Sequence, residues 1–325
     1  MSLRERVENY WWRSAPPARP LRMLGQIYGA ISRRHLTWRE RRCERVSVPL
    51  ISVGNLAVGG SGKTPFVLWL AEGLRRIGHR PVVLCRGDGG TARAVVRVYA
   101  DSDPAIVGDE ACLLAAPGKW PVVSAQDRVA GARFAARLGD VIVLDDGFQY
   151  RQLARDCDIV LLPERGLGNG ALLPAGPLRE PPEALRRADL VVCPHNAQLD
   201  GCPAELRFWR WQAEAAALRD VTTSSCQEPR RVLAVAGIAR PERFFHALAQ
   251  RGLVLARCCS FPDHYRYRPR DVRRLLAMGL PVVTTGKDAV KLRRCWPPEQ
   301  ALWVLEQDYR AEPGLLEHIA ARVFS

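Results

Sequence analysis

The sequence predicts an α/β fold: a lobe built on a mostly parallel sheet, a second and smaller α/β lobe, and an N-terminal amphipathic helical segment. Three observations predict it. Short β-rich runs alternate with helical stretches through most of the 325 residues. A glycine-rich turn, Val58-Gly59-Gly60-Ser61-Gly62-Lys63-Thr64-Pro65, joins one such run to a helix. The first 45 residues set a helix-spaced apolar stripe among arginines. Short apolar runs separated by helices are the pattern of a sheet covered on both faces. The chain is long for one domain, and 47% hydrophobic residues suffice for two ordinary cores.

Residues 1–45 hold eleven arginines and four glutamates, half of the net charge of +14. Trp11, Trp12, Leu21, Leu24, Ile27, Tyr28 and Ile31 lie among Arg13, Arg19, Arg22, Arg33 and Arg34. A basic amphipathic helix with aromatic residues suits the surface of an anionic membrane; the same pattern also suits a helix packed on the protein's own core with a solvated basic face. No run approaches the roughly 18 apolar residues needed to span a bilayer. The charge is concentrated in this segment and not spread along a groove, which argues against nucleic acid as a partner. Ten cysteines are scattered without a C-x-x-C pair or a matching His pair, as in reduced thiols of a cytoplasmic protein.

Residues 46–205 form the expected core lobe. A strand over Val46 to Val53 runs into the glycine-rich turn, whose successive N–H groups can form a nest for phosphate at a helix N-terminus. Lys63 can reach the β- and γ-phosphates of a nucleoside triphosphate, and the Thr64 hydroxyl can serve Mg²⁺. Gly59, Gly60, Ser61, Gly62, Lys63 and Thr64 are therefore the cofactor-binding candidates, and the lobe is of the P-loop NTPase type. Ala57 stands at the first motif position in place of glycine.

Further strands are expected at 82–84, 95–98, 122–123, 141–144, 159–162 and 190–192, with a helix over 125–138. The run Val141-Ile142-Val143-Leu144-Asp145-Asp146-Gly147-Phe148-Gln149 has the form of a Walker B strand, about eighty positions after Lys63. One Asp is enough for Mg²⁺, and the second can take metal or substrate. Asp109 and Glu110 precede a helical stretch, so capping accounts for them locally. Arg179, in Gly176-Pro177-Leu178-Arg179-Glu180, could hold a phosphate or sit in a surface turn.

The stretch 206–229 reads as a connection made of a pair of strands. Residues 230–325 repeat the α/β rhythm, with strands at 232–236, 253–257, 281–284 and 302–305 and helices at 242–250, 270–278, 289–294 and 315–322. Within it, Phe261-Pro262-Asp263-His264-Tyr265 is a turn between strand and helix. Thr284-Thr285-Gly286-Lys287-Asp288 lacks the T-K-x-D spacing of guanine recognition, which counts against a GTPase.

Taken in order, these segments resemble the tetraacyldisaccharide 4′-kinases, the lipid A 4′-kinases. The resemblance covers the basic Trp-bearing N-terminus, Val53-Gly54-Asn55-Leu56, the Gly-Gly-Ser-Gly-Lys-Thr-Pro loop, Gly108-Asp109-Glu110, Leu144 to Gln149, Gly176 to Glu180, Phe261 to Tyr265 and Thr285 to Asp288. It implies ATP- and Mg²⁺-dependent phosphorylation of the 4′-hydroxyl of a tetraacyldisaccharide 1-phosphate at the cytoplasmic face of the inner membrane, with no obligate protein partner. It implies Asp109 and His264, from different lobes, as a catalytic dyad acting with Lys63 and Asp146. Thr64, Asp145 and Asp146 are then the metal ligands, and Arg179, Glu180 and Gln149 lie at the substrate. One departure is Cys85-Arg86-Gly87-Asp88-Gly89, where the family has Ser-Arg-Gly-Tyr-Gly; Asp88 removes a ring from the pocket. A reading from another class is a P-loop switch ATPase or GTPase, or a metallochaperone, acting on a protein partner.

Overall fold

The computed structural model describes residues 7–324 other than 8, 14, 60, 224–226, 239 and 264, and for 215, 216 and 307 only the backbone. The described chain forms two compact units: residues 1–86, 119–212 and 309–325 in the first, residues 87–118 and 213–308 in the second. Its strands are β1 (Leu50–Asn55), β2 (Pro81–Cys85), β3 (Val96–Val98), β4 (Val122–Ser124), β5 (Val141–Asp145), β6 (Cys157–Leu161), β7 (Leu190–Cys193), β8 (Phe208–Asp220), β9 (Arg231–Ala236), β10 (Val254–Ser260), β11 (Val282–Thr284) and β12 (Leu302–Ala311).

In the first unit the order is β8-β7-β6-β1-β5-β2-β4, with every adjacent pair parallel. All residues of β1, β2, β5 and β6 are buried, as expected of strands covered on both faces. The chain leaves β1, forms the helix Lys63–Arg76 and enters β2 one position further out, so β5 comes to lie between them. That insertion sets Asp145 beside Val53 in register, at the strand end from which the glycine-rich turn departs. Phe66 and Trp69 of the helix pack on Trp211, and Trp211 stacks on Tyr309 with centroids 4.8 Å apart.

In the second unit the order is β10-β9-β11-β12, again parallel. Strand β9 alternates its faces: Leu233 and Val235 join Leu292, Trp296 and Leu302 in one core, whereas Val232, Ala234 and Ala236 join Phe244, Leu248 and Trp303 in the other. The period of two divides two layers of helices.

Two expectations are corrected. The region read as a pair of strands is one thirteen-residue strand, β8, because Gln212 to Ala217 stays extended. Residues 87–118, placed by sequence in the core lobe, belong to the second unit. Asp109 therefore shares a unit with Asp263 and Tyr265, while His264 lies outside the described residues. The physical reason is local close packing: a Cβ on Gly286 would meet Leu113 Cδ1 at 3.3 Å, which lets the helix Gly286–Leu292 come close to the helix Asp109–Ala115.

The helix Arg19–Glu40 occurs as anticipated, with one face packed against the protein. Gly25, Gly29 and Leu36 are buried, with Leu172 filling the space a Cβ on Gly29 would need, whereas Met23, Leu24, Ile27, Ile31 and Trp38 remain exposed on the opposite side. No helix among the described residues is long and apolar enough to cross a membrane.

Candidate active site

The turn after β1 is held from inside. Asn55 is fully buried, and its Nδ2 donates to the carbonyls of Ala57 (2.6 Å) and Gly59 (3.4 Å), which fixes the path of the loop. Gly62 caps the helix Lys63–Arg76 with φ +78°, a left-handed conformation that disfavours side chains. From outside, the segment Pro177–Arg179 pairs with the loop: Val58 N–H donates to Pro177 O (2.8 Å), Arg179 N–H donates to Leu56 O (2.8 Å), and Ala57 bridges Leu178 antiparallel. The backbone of the motif is thus stapled between β1 and the loop that carries Arg179.

Asp146 follows β5 with φ +51°, the one non-glycine residue with positive φ among those described. Gly147 has no room for a Cβ, which would fall 2.5 Å from Ser52 Oγ. The turn directs the Asp146 carboxylate to Lys63 Nζ (3.4 Å) and to Arg179 Nη1 (3.1 and 3.2 Å), while its carbonyl accepts from Arg128 Nη1 (3.1 Å). Burial raises the carboxyl pKa of Asp146, but Lys63, Arg179 and Arg128 together outweigh burial and hold it below the usual carboxylate value.

Gln149 bridges two of these parts. Its Nε2 donates to Asn55 O (3.1 Å) and Glu180 Oε1 (3.3 Å), and its Oε1 accepts from Arg179 Nη1 (3.4 Å). Glu180 is 3% exposed and pairs with Arg151 (3.0 Å) and Arg187 (2.9 Å), so it acts on the arginines around it and not on solvent. Arg151 also pairs with Glu40, at the end of the helix Arg19–Glu40.

Asp145 is 5% exposed at the end of β5. Its carboxylate and the Thr64 hydroxyl are hard oxygen donors of the kind Mg²⁺ prefers, and the Asp145 register beside Val53 puts it next to the strand that feeds the loop. Asp146 fits a metal less well, because two cations already face its carboxylate. Among the described residues no group of three or more His, Cys, Asp or Glu is gathered for a metal. A site of one or two protein oxygens completed by phosphate is the usual arrangement for Mg²⁺ beside a nucleotide.

The first unit therefore brings together Lys63, Asp145, Asp146, Gln149, Arg179 and Glu180 with the described loop residues Gly59, Ser61, Gly62 and Thr64. Gly60 and His264 lie outside the described residues. Asp109, in the second unit, opens the helix Asp109–Ala115, where Lys291 Nζ stands 3.4 Å from its carboxylate. A family model described as tetraacyldisaccharide-1-P 4′-kinase (LpxK) matches residues 17–324. This chain belongs to that family.

The family's tetraacyldisaccharide 4′-kinase from Chromobacterium violaceum is 42% identical to this chain over 338 residues, spanning 98% of this chain and 97% of its own. That of Alkalilimnicola ehrlichii is 40% identical, spanning 96% and 95%. A crystal structure of LpxK from Aquifex aeolicus in complex with ATP is similar with a TM-score of 0.79 at 30% identity, over 94% of this chain and 99% of that one. Like the family, this chain is a kinase.

Four residues of the kinase were given no role by the sequence reading, Asn55 being quoted there only within a shared run. Asn55, Arg128 and Arg151 act by holding backbone or carboxylates, and Lys291 is a buried cation. For Asn55 a signal existed, since a polar residue at the end of an apolar strand and just ahead of a glycine-rich turn has the turn's carbonyls within reach. The other three are brought into place by residues distant in sequence.

Proposed function

We propose that Gly59 to Thr64 bind the triphosphate of ATP, that Lys63 and Arg179 turn from Asp146 to the transferring phosphoryl group, and that Asp109 accepts the proton of the acceptor hydroxyl. The reaction is that of the family: ATP-dependent phosphorylation of the 4′-hydroxyl of a tetraacyldisaccharide 1-phosphate in lipid A synthesis. The observation that supports the assignment best is the convergence of Lys63 and Arg179 on one carboxylate at the start of the helix Lys63–Arg76. Two cations held within about 3.5 Å of a displaceable anion are already arranged for another anion.

In the transfer, the 4′-oxygen bonds to the γ-phosphorus as the bond from that phosphorus to the β,γ-bridging oxygen breaks. The hydroxyl proton passes to Asp109, and His264 orients that carboxylate. Charge spreads over the phosphoryl oxygens and the leaving ADP, and Lys63 and Arg179 stabilise it there. Thr64 and Asp145 are the residues that would hold Mg²⁺, which would supply positive charge to offset part of the charge developing on the phosphate oxygens.

The acceptor carries four acyl chains, so the chemistry occurs at a lipid surface, for which we place the kinase on the cytoplasmic face of the inner membrane. The support is the exposed row Met23, Leu24, Ile27 and Ile31 beside exposed Arg22, Arg33 and Arg34. Burying an isoleucine is worth roughly 1.5–3 kcal/mol. Replacing both Ile27 and Ile31 with serine is expected to weaken sedimentation with anionic vesicles at least about tenfold, with kcat in mixed micelles retained.

The assignment of the reaction is tested by incubating the protein with Mg²⁺-ATP and tetraacyldisaccharide 1-phosphate in mixed micelles and weighing the lipid by mass spectrometry. The expected result is one added phosphate, mapped to the 4′ position. ATP hydrolysis without a phosphorylated lipid would instead favour a switch ATPase acting on a protein partner.

A further inference from the structure

Lys291 is a long cation placed where cations are costly. It sits on the helix Gly286–Leu292 with 6% side-chain exposure, 3.4 Å from Asp109 Oδ2 and 3.1 Å from Asp288 Oδ1. Its ammonium also lies 5.8 Å from the centre of the Tyr267 ring. A buried ammonium destabilises the fold unless it is paired, and an apolar residue of the same length usually holds two helices together at least as well. The charge therefore calls for a reason beyond packing.

The neighbours narrow that reason. Asp288 has its own donors: Oδ2 accepts from Gly237 N–H (2.8 Å) and from Thr285 Oγ1 (2.7 Å). The approach is tight, since a Cβ on Gly237 would fall 3.0 Å from both Asp288 Oδ1 and the Tyr267 hydroxyl. Asp288 is thus fixed without Lys291, and it anchors the lysine. Burial first, and Asp288 second, push the Tyr267 phenol up, so the ring stays neutral beside the pair. The two helices are clamped separately, because the half-exposed Lys287 Nζ pairs with Glu110 Oε1 at 2.6 Å one position along. What remains for Lys291 is the carboxylate of Asp109.

We propose that Lys291 is a positioning residue for the phosphoryl transfer: braced by Asp288, it engages Asp109 Oδ2 and helps hold that carboxylate in the orientation the transfer needs, together with His264. The proposal rests on Asp109 as the proton acceptor. It assigns a role to the Thr285–Lys291 segment, which has neither the glycines of a phosphate loop nor the spacing of a guanine motif.

The test is a double-mutant cycle on the full chain, assayed with Mg²⁺-ATP and the lipid acceptor in mixed micelles. Lys291→Met is expected to lower kcat about 10- to 100-fold, with KM for ATP and for acceptor within about twofold, and Lys291→Arg to recover much of the loss. In an Asp109→Asn background, Lys291→Met should cost less than about twofold more, because a misoriented base and an absent base are the same defect. Asp288→Asn keeps an oxygen for Gly237 and Thr285 but removes the anchor's charge. It should reproduce the kcat loss at smaller size, and it serves if Lys291→Met fails to fold. Unchanged kcat in the folded lysine and Asp288 variants while Asp109→Asn is inactive would overturn the proposal, as would losses that simply multiply. Normal turnover in Asp109→Asn alone would instead remove Asp109 as the base, and the role of Lys291 with it.

Discussion

Each unit sets a lysine against an aspartate, and the two pairs are built to opposite ends. In the first, Asp146 is 27% exposed, Lys63 17% and Arg179 28%, so all three side chains retain access to solvent and to an arriving anion. In the second, Lys291 is 6% exposed and is locked from behind by an Asp288 with no exposure at all. An ion pair at a solvated mouth can exchange its partner at small cost, whereas separating a buried pair strands a charge in a poorly polarisable interior. On the assignment proposed above, the contrast separates two tasks of a phosphotransferase: cations that must let go of one anion to take another, and a base that must not move.

The sharpest way to break this comparison is to remove the proposed base. Asp109→Asn is expected to lower kcat by about 10²–10⁴ while ATP binding, measured by calorimetry, stays within about twofold. Loss of ATP affinity would mean that Asp109 belongs with the exchangeable cluster. Next in size is Lys63→Met, expected to lower kcat/KM for ATP about 10²–10³-fold. Turnover near normal would show that Lys63 serves Asp146 and not phosphate.

The smallest effect concerns acid. Since the carboxyl pKa of Asp146 is lowered in the folded protein, its ion pairs stabilise the fold above the unfolded value of 3.8, and that contribution is lost as pH falls through the folded value. The gap in Tm between the wild type and Asp146→Asn should therefore be widest near neutrality and shrink below about pH 4. A gap that stays constant with pH would show that the pair with Lys63 and Arg179 adds no stability.

The features legible in the sequence were those written in contiguous residues. The glycine-rich turn, the apolar run ending in Asp145 and Asp146, and the alternation of strands and helices all depend on neighbours in the chain, where propensity and period act. The meeting of Arg179 with Asp146 was not legible, because it follows from an antiparallel bridge between Ala57 and Leu178, far apart in sequence. Nor could local pattern reveal that residues 87–118 join the second unit, since their apolar runs fit either sheet. Lys291 reads as one more charged position on a short helix. Its importance comes from the elements that bury it, and burial of a polar residue leaves no periodic trace. The helix Arg19–Glu40 lies between these cases: its two faces were visible, but only the fold shows that the glycine face is the one turned inward.

One loop is tied at both ends. Near Leu172 it forms the seat for Gly25 and Gly29, and at Leu178 and Arg179 it pairs with the phosphate loop. Leu172 and Leu178 are themselves bridged, and Asn169 holds Ala175 O at 3.0 Å, so the span between has no slack. Its length is consequently a fixed quantity. An inserted or deleted residue there would have to displace either the N-terminal helix or the arginine, so drift in this stretch can proceed by exchange of side chains but not by change in the number of residues.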